Sequence, residues 1–287
     1  MENLLSLAFD GLSSYDGPKV RKGLRQVEGL LAQICLSSPA KTRSPTADDE
    51  ATRRGAGGKS LADLSDDPAF REFFKLQEGF EWNVAMRLIN TLDRLMGKGT
   101  DGQNDLLILN SLDLIQGVLL LHPPSKALFS REQNMNLLLD LLEPVNCPAI
   151  QSATLLTLVT ALIDTPTNTR TFEALDGLLT VTSLFKSRST AREVKLKLVE
   201  FLYFYLMPEV ASVPRASATA LHQRSPSKLA ASTTAADASH ARNRAGSESA
   251  DTLTTEEKQE LLGRHLSNVE DLVRDLRTCT PFGGVVC

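Results

Sequence analysis

Apolar residues recur at helical spacing along most of the chain, and between residues 106 and 208 one arrangement occurs three times. Pro124, Pro166 and Pro208 lie 42 residues apart, and each follows an apolar segment: LILNSLDLIQGVLLLHPP, QSATLLTLVTALIDTP and REVKLKLVEFLYFYLMP. A period near 42 built from helical segments is typical of armadillo or HEAT repeats. One such unit cannot bury its own apolar face, so neighbouring units stack and share an elongated core. The sequence predicts an all-α, armadillo/HEAT-like helical repeat solenoid with disordered insertions.

An ordinary α-helical bundle is the alternative, because leucine-rich helices often stop before a proline. The common frame favours repeats, since leucine recurs in it at Leu114, Leu156 and Leu198. The segments that follow two of the prolines are also related. The pattern predicts helices at about 104–121, 125–130, 132–142, 148–164, 168–174, 176–186 and 190–207.

Residues 1–36 are predicted to form an N-terminal helical pair. Pro18 opens the second helix, where its missing N–H is tolerated in the first turn. The cations in the first turns of that helix form either a solvated face or a docking site for an acidic partner. They are Lys19, Arg21, Lys22 and Arg25.

Helices resume at residue 67, where Asp67 and Pro68 are typical of a helix start. Residues 67–207 form the predicted repeat domain, and helical spacing places a helix at 80–96 within it. Trp82, the sole tryptophan, lies on that helix. It either packs between helices or serves as a partner-binding residue.

Two segments contain few large apolar residues, namely 37–66 and 208–253. Such segments cannot bury enough apolar surface to offset their ordering entropy. We therefore expect a disordered insertion and a disordered linker. Ser44 and Ser225 each precede a proline within them and are candidate phosphorylation sites.

The last repeat helix ends in a run, from Val199 to Met207, that is apolar on all sides. Such a run is either buried beneath the C-terminal segment or exposed as a binding surface. The candidate partner-binding residues in this run are Phe201, Tyr203, Phe204 and Tyr205.

A C-terminal amphipathic helix is predicted over 254–278, with Thr254 and Glu257 forming a capping box. Its apolar face needs a groove. Tethering favours a groove on the solenoid itself, over the Phe201 run, and a partner's surface is the alternative. The candidate contact residues of this helix are Leu262, Leu266, Val269, Val273 and Leu276.

Composition narrows the class of function. The formal net charge of −4 and the 5% aromatic content argue against nucleic-acid binding, which uses basic fields and stacking rings. No apolar stretch reaches the roughly 18–20 residues that span a bilayer, and the N-terminus lacks a signal-peptide pattern. We therefore expect a cytoplasmic protein without membrane insertion, whose four scattered cysteines are reduced.

Catalytic motifs are absent from the sequence. The four histidines lack metal-ligand spacing, and there is no GxSxG elbow and no kinase HRD or DFG signature. We therefore expect no enzymatic activity, no metal and no cofactor. Helical solenoids act by binding other proteins on their long surfaces.

Three segments carry a resemblance to a known family: MENLLSLAFDGLSSYDGPKVRKGLRQVEGLLAQICL, FFKLQEGFEWNVAMRLINTLDRL and NTRTFEALDGLLTVTSLFKS with the later VKLKLVEFLYFYLMPE. The chain resembles the fungal cell division control protein 14 family of the septation initiation network. A phosphatase of the same name is unrelated, and its HCxxGxxR signature is absent here.

The resemblance implies a non-catalytic regulatory or scaffold subunit. Such a subunit binds a germinal-centre-type Ser/Thr protein kinase and other septation-network proteins, promotes septum formation and cytokinesis, and is recruited from the cytoplasm to the spindle pole body. The alternative is an armadillo-type adaptor that binds extended peptides or cargo. Those adaptors carry ladders of Asn and Trp, whereas this chain has one Trp, which favours the kinase-binding subunit over the adaptor.

Overall fold

The computed structural model describes residues 1–36, 59, 61–97, 102–209, 252–270 and 274, and all regular elements within these ranges are helical. The predicted all-α fold is confirmed. The elements are α1 Glu2–Leu12, α2 Gly17–Cys35, α3 Leu61–Asp66, α4 Pro68–Glu78, α5 Val84–Met96, α6 Asp105–Leu121, the 3₁₀ helix η1 Pro123–Ser130, α7 Glu132–Leu141, α8 Pro148–Leu162, α9 Pro166–Ala174, α10 Gly177–Lys186, α11 Arg192–Leu206 and α12 Thr255–Gly263.

Helix starts follow the local chemistry of the sequence. The Asp67 side chain accepts hydrogen bonds from the backbone N–H groups of Ala69 and Phe70, at 2.7 and 3.2 Å, and so caps α4. Thr254 and Glu257 form the predicted capping box of α12. Both devices satisfy N–H groups that have no partner within the helix.

Four helices form a row that follows the chain order α2, α6, α8 and α11, each packed on the next. In the repeat segment they start at Asp105, Pro148 and Arg192, which are 43 and 44 residues apart. The helices therefore repeat at almost the spacing of the three prolines. This stacking is consistent with the predicted solenoid, in which neighbouring units share one core.

A second set of short helices, η1, α7, α9 and α10, connects the members of the row and packs beside them. Buried polar side chains tie the connections together. The Asn168 amide nitrogen donates to the backbone oxygens of Lys126 and Ala161, at 2.9 and 2.7 Å. The Lys126 Nζ donates to the backbone oxygen of Ile163 at 3.0 Å. These bonds supply partners for carbonyl groups near helix ends.

Helices α1 and α2 pack unusually closely at two glycines. A Cβ atom built on Gly23 would lie 2.8 Å from the backbone oxygen of Ala8 and from the backbone nitrogen of Leu12. A Cβ on Gly11 would lie 2.9 Å from the backbone oxygen of Lys19. The two backbones touch, so neither position has room for a side chain.

Three element boundaries differ from the sequence prediction. Residues 61–66, assigned to the disordered insertion, form α3, whose Leu64 is buried. Helix α5 begins at Val84 rather than near residue 80, because the Asn83 side chain caps it by accepting from the Met86 N–H at 2.8 Å. The predicted C-terminal helix is interrupted after Gly263, where the N–H groups of His265 and Leu266 both turn back to the Leu262 oxygen, and helical backbone resumes at residues 269–270 and 274.

Several predicted residues lie outside the described part of the chain. They are Ser44, Ser225, Val273 and Leu276. None of the helices within the described ranges is long and apolar enough to cross a membrane.

Replacing Gly23 with alanine is expected to destabilise the fold by about 1–3 kcal/mol, because the new methyl group would overlap backbone that cannot move aside. Gly29 is the matched control on the same helix, since a Cβ there meets nothing within 4 Å. Gly29→Ala is expected to leave stability unchanged or raise it by about 0.5–1 kcal/mol through lower backbone entropy. Urea denaturation followed by circular dichroism measures both, and equal effects would contradict the close contact.

Candidate protein-binding site at the C-terminal junction

The described part of the chain stops at Glu209, just after α11, and resumes at Thr252, close to the same end of that helix. The backbone N–H of Glu209 donates to the Leu253 oxygen at 3.3 Å, and the Leu253 N–H donates to Glu209 Oε2 at 3.0 Å. Helix α12 then packs against α11. The two ends of the predicted linker are thus bound to each other.

Glu209 is the centre of a buried ionic network at this junction. Its Oε1 accepts from Arg170 Nη2 at 2.7 Å and lies 3.0 Å from Lys258 Nζ. The Lys258 Nζ also donates to the backbone oxygen of Met207 at 3.0 Å and lies 5.2 Å from the centre of the Tyr205 ring. Lys258 is 4% exposed, so its charge is satisfied inside the protein.

A second carboxylate completes the network. Glu173 Oε1 lies 3.1 Å from Arg170 Nη2 and accepts from the Tyr205 hydroxyl at 2.7 Å. We call the five residues Arg170, Glu173, Tyr205, Glu209 and Lys258 the C-terminal clasp. It joins α9, α11 and α12 and contains two cations and two carboxylates, so its charges balance.

Burial changes the proton affinity of the clasp residues. Desolvation lowers the pKa of Lys258, and the hydrogen bond and charge of Glu209 oppose that shift. Desolvation also raises the pKa of Glu173, with the Tyr205 hydrogen bond and the Arg170 charge opposing. The pKa of Tyr205 rises because of burial and the adjacent Glu173 carboxylate. For Lys258 and Glu173 the effect of burial outweighs that of the pairing, whereas for Tyr205 burial and the neighbouring carboxylate act in the same direction.

Apolar contacts accompany the clasp. Leu262, Leu266 and Val269 of the C-terminal segment are all buried. Phe201 of α11 has its ring centre 5.6 Å from that of Phe172 and 6.2 Å from that of Phe204. The C-terminal segment therefore contributes to the same continuous core as the row of helices.

The structure brings two of the three predicted contact regions together. Phe201 and Tyr205 are each 1% exposed and hold helices together, whereas Tyr203 and Phe204 are half-buried. Trp82 lies elsewhere, in the turn before α5, with its ring 6.2 Å from that of Phe9 on α1.

A small cavity opens beside the clasp. Its volume is about 160 Å³, and its lining includes Ile163, Phe204, Met207 and Lys258. Ile163 and Met207 directly follow α8 and α11 and are 39% and 43% exposed. Leu120, in the last turn of α6, is 66% exposed. We call these three side chains the apolar row.

Sequence reasoning missed the charged members of the clasp. Lys258 gave a usable signal, because it lies one helical turn before Leu262 on the apolar face of α12 and a cation there needs a buried partner. Glu209 and Arg170 gave none, since their approach depends on how distant helices pack. Within the described residues, no group of three or more His, Cys, Asp or Glu side chains is arranged to hold a metal ion.

Replacing Lys258 with methionine is expected to lower the free energy of unfolding by about 3 kcal/mol. The loss lies at the lower end of the range for broken buried ion pairs, because Arg170 still faces Glu209. Lys197 of α11, whose 2.7 Å ion pair with Glu200 is exposed, is the matched control, and Lys197→Met should change stability by less than about 0.5 kcal/mol. Urea denaturation tests both variants. Equal losses would contradict a structural role for the clasp.

Replacing Glu173 with glutamine is expected to remove part of the pH dependence of stability. Because its folded-state pKa is raised, Glu173 contributes stability that is complete below the ordinary value of 4.5 and is lost as the pH rises through the folded value. The free-energy difference between wild type and Glu173→Gln should therefore shrink as the pH rises through that window. The exposed Glu143→Gln variant is the control. If the difference in unfolding free energy between wild type and Glu173→Gln does not depend on pH, the pKa of Glu173 is not raised in the folded protein.

Comparison with known proteins gives matches that cover almost the whole chain. A family described as cell division control protein 14, a SIN component, matches residues 1–282. The curated relative named cell division control protein 14 from Schizosaccharomyces pombe is 28% identical over 291 residues, which cover 99% of this chain and 97% of the relative. No solved structure matches the chain significantly. The chain belongs to the cell division control protein 14 family, a component of the septation initiation network.

Proposed function

We propose that this chain is a non-catalytic regulatory or scaffold subunit that binds a germinal-centre-type Ser/Thr protein kinase in the septation initiation network. In this role it promotes septum formation and cytokinesis. It acts in the cytoplasm, is recruited to the spindle pole body, and has other septation-network proteins as further partners. The chain belongs to a family named as a component of this network, which supports a role in septation.

The observation that carries a protein-binding role is the apolar row. Leu120 lies in the last turn of α6, and Ile163 and Met207 directly follow α8 and α11; all three are exposed, and these helices pack consecutively. Fully burying an exposed Ile, Leu or Met side chain releases about 1.5–3 kcal/mol. These three side chains are 39–66% exposed, so covering them would contribute part of that amount each to association. Exposed apolar side chains grouped along one edge are typical of protein interfaces.

The cavity next to the apolar row suits a protein partner better than a small molecule. Small-molecule sites usually enclose about 300–1,000 Å³, whereas this cavity has a volume of about 160 Å³. That volume fits a single apolar side chain of a partner. Ile163 and Met207 form part of its lining, so these two members of the apolar row are continuous with the cavity.

Co-expression of the full-length chain with the germinal-centre-type septation kinase of the same organism tests the proposal. We expect a stable complex on size-exclusion chromatography. Ile163→Asp should weaken binding at least about tenfold, because the side chain can no longer be buried without cost. Leu179→Asp on α10 is the control, since Leu179 is 46% exposed but lies outside the apolar row.

The possible results separate the parts of the proposal. If the wild-type chain forms no complex with the kinase, the kinase-binding function is wrong. A complex that tolerates Ile163→Asp as well as Leu179→Asp would retain the function and exclude the apolar row as its interface. Both variants must keep the wild-type circular dichroism spectrum for the comparison to hold.

A further inference from the structure

A second exposed surface lies at the other end of the row of helices, on α1 and α2. Leu4 and Leu7 of α1 are 56% and 51% exposed, although Leu5 and Ala8 beside them are buried. The helix thus presents apolar side chains both to the core and to the outside. About half of each outer side chain is exposed.

Leu4 borders a shallow groove between the two helices, and Leu7 lies one turn further along α1. Leu4, Gln26, Gly29, Leu30 and Gln33 line the groove. The groove is open at Gly29, where an added Cβ would meet no atom within 4 Å. Its floor is apolar, and its α2 wall carries two side-chain amides that can hydrogen-bond to a peptide.

The cations of α2 lie along the same wall. Helix α1 runs antiparallel to α2, since Gly11 faces Lys19 while Leu4 faces the later residues of α2. Lys22 precedes Gln26 by one helical turn, and Arg25 precedes Gly29 by one turn. Residues one turn apart share a helix face, so both cations extend the groove towards the start of α2.

The first turns of α2 carry a local positive charge, because residues 17–27 contain four cations and no carboxylate, whereas Glu2, Asp10, Asp16 and Glu28 balance them over residues 1–36 as a whole. Lys19, Arg21, Lys22 and Arg25 are all exposed. Across the described part of the molecule, none of the four takes part in an ion pair. The N-terminal end of α2 adds a positive helix dipole. This local positive field belongs to a chain with a formal net charge of −4.

We infer that the groove between α1 and α2 docks an acidic amphipathic helix of the partner kinase, an assignment that rests on the proposed function. Apolar residues of that helix would cover Leu4 and Leu7, and its Asp and Glu residues would face Lys22 and Arg25. The wall from Lys19 to Gln33 is about 21 Å long at 1.5 Å per residue. That length matches about four turns of a partner helix, and two packed helices form the kind of groove in which amphipathic helices bind.

A partner helix fits these observations better than a membrane surface does. Gln26 and Gln33 line the groove, where side chains of a partner helix can form hydrogen bonds with them. The complementary charges would increase the association rate and make binding sensitive to salt.

Charge reversal in the full-length chain tests the assignment with the same kinase. Lys22→Glu combined with Arg25→Glu should weaken kinase binding by at least about tenfold and reduce its salt dependence. The control combines Arg188→Glu with Arg192→Glu, because it changes the net charge equally at exposed positions near the start of α11. It should leave the affinity within about twofold of wild type, since distant surface charges are screened.

A steric block and a chemical cross-link make the test independent of net charge. Gly29→Phe should also weaken binding by at least about tenfold, because the ring would fill an open groove while the helix stays unstrained. Carbodiimide treatment of the wild-type complex should join Lys19 or Lys22 to aspartates or glutamates of the kinase, which mass spectrometry would identify.

Four results would overturn the assignment. If the charge-reversal variant and Gly29→Phe both bind the kinase with wild-type affinity, the groove is not the docking site, although the kinase-binding function stands. If the wild-type chain does not bind the kinase, both the docking site and the kinase-binding function are wrong. Flotation with phosphatidylserine vesicles that is lost in the charge-reversal variant, while kinase binding persists, would assign the surface to membranes. Self-association of the wild-type chain that Gly29→Phe abolishes would assign the groove to a second copy.

Discussion

The structure depends on one constraint, which is that no helix of the row can bury its apolar surface alone. Helix α8 illustrates this, since its buried residues lie on several sides and it packs on α6 in one direction and on α11 in the other. Each member of the row needs a neighbour on both sides, so the core is continuous from α2 to α11. The same constraint leaves two ends that must be covered. Helix α1 covers α2 through the close contact at Gly11 and Gly23.

The C-terminal clasp solves the same problem at the other end. Helix α11 is the last member of the row, and α12 packs on it in addition to α8 and α10. Terminal units of repeat proteins need such a cap. The clasp uses charges as well as apolar side chains. A buried ion pair adds little net stability, but any placement of the segment that leaves Lys258 or Glu209 unpaired carries a large desolvation cost. The network therefore fixes one position of α12 on α11, and it holds residues 209 and 252–253 beside each other.

Helix positions could be predicted well from the sequence because their signals are local. Asp67, Pro68 and the Thr254–Glu257 pair act within a few residues of the element they start. The turn after Gly263 escaped prediction because the apolar spacing of Leu262, Leu266 and Val269 continues through it. The clasp could not be predicted either, since Arg170, Glu209 and Lys258 are distant in sequence and meet through packing. Exposure likewise depends on neighbours, which is why Phe201 and Tyr205 proved to be core residues while Ile163 and Met207 form the surface.

The C-terminal segment is a structural part of the helical row. Amide hydrogen exchange of the full-length chain under native conditions tests this role most directly, because exchange reports local opening of each helix. We expect the amides of α12 to exchange at rates within about tenfold of those of α11, since the clasp and Leu262 join the two helices. Fast exchange throughout α12 alongside full protection of α11 would contradict it, because α11 would then be stable without its cap.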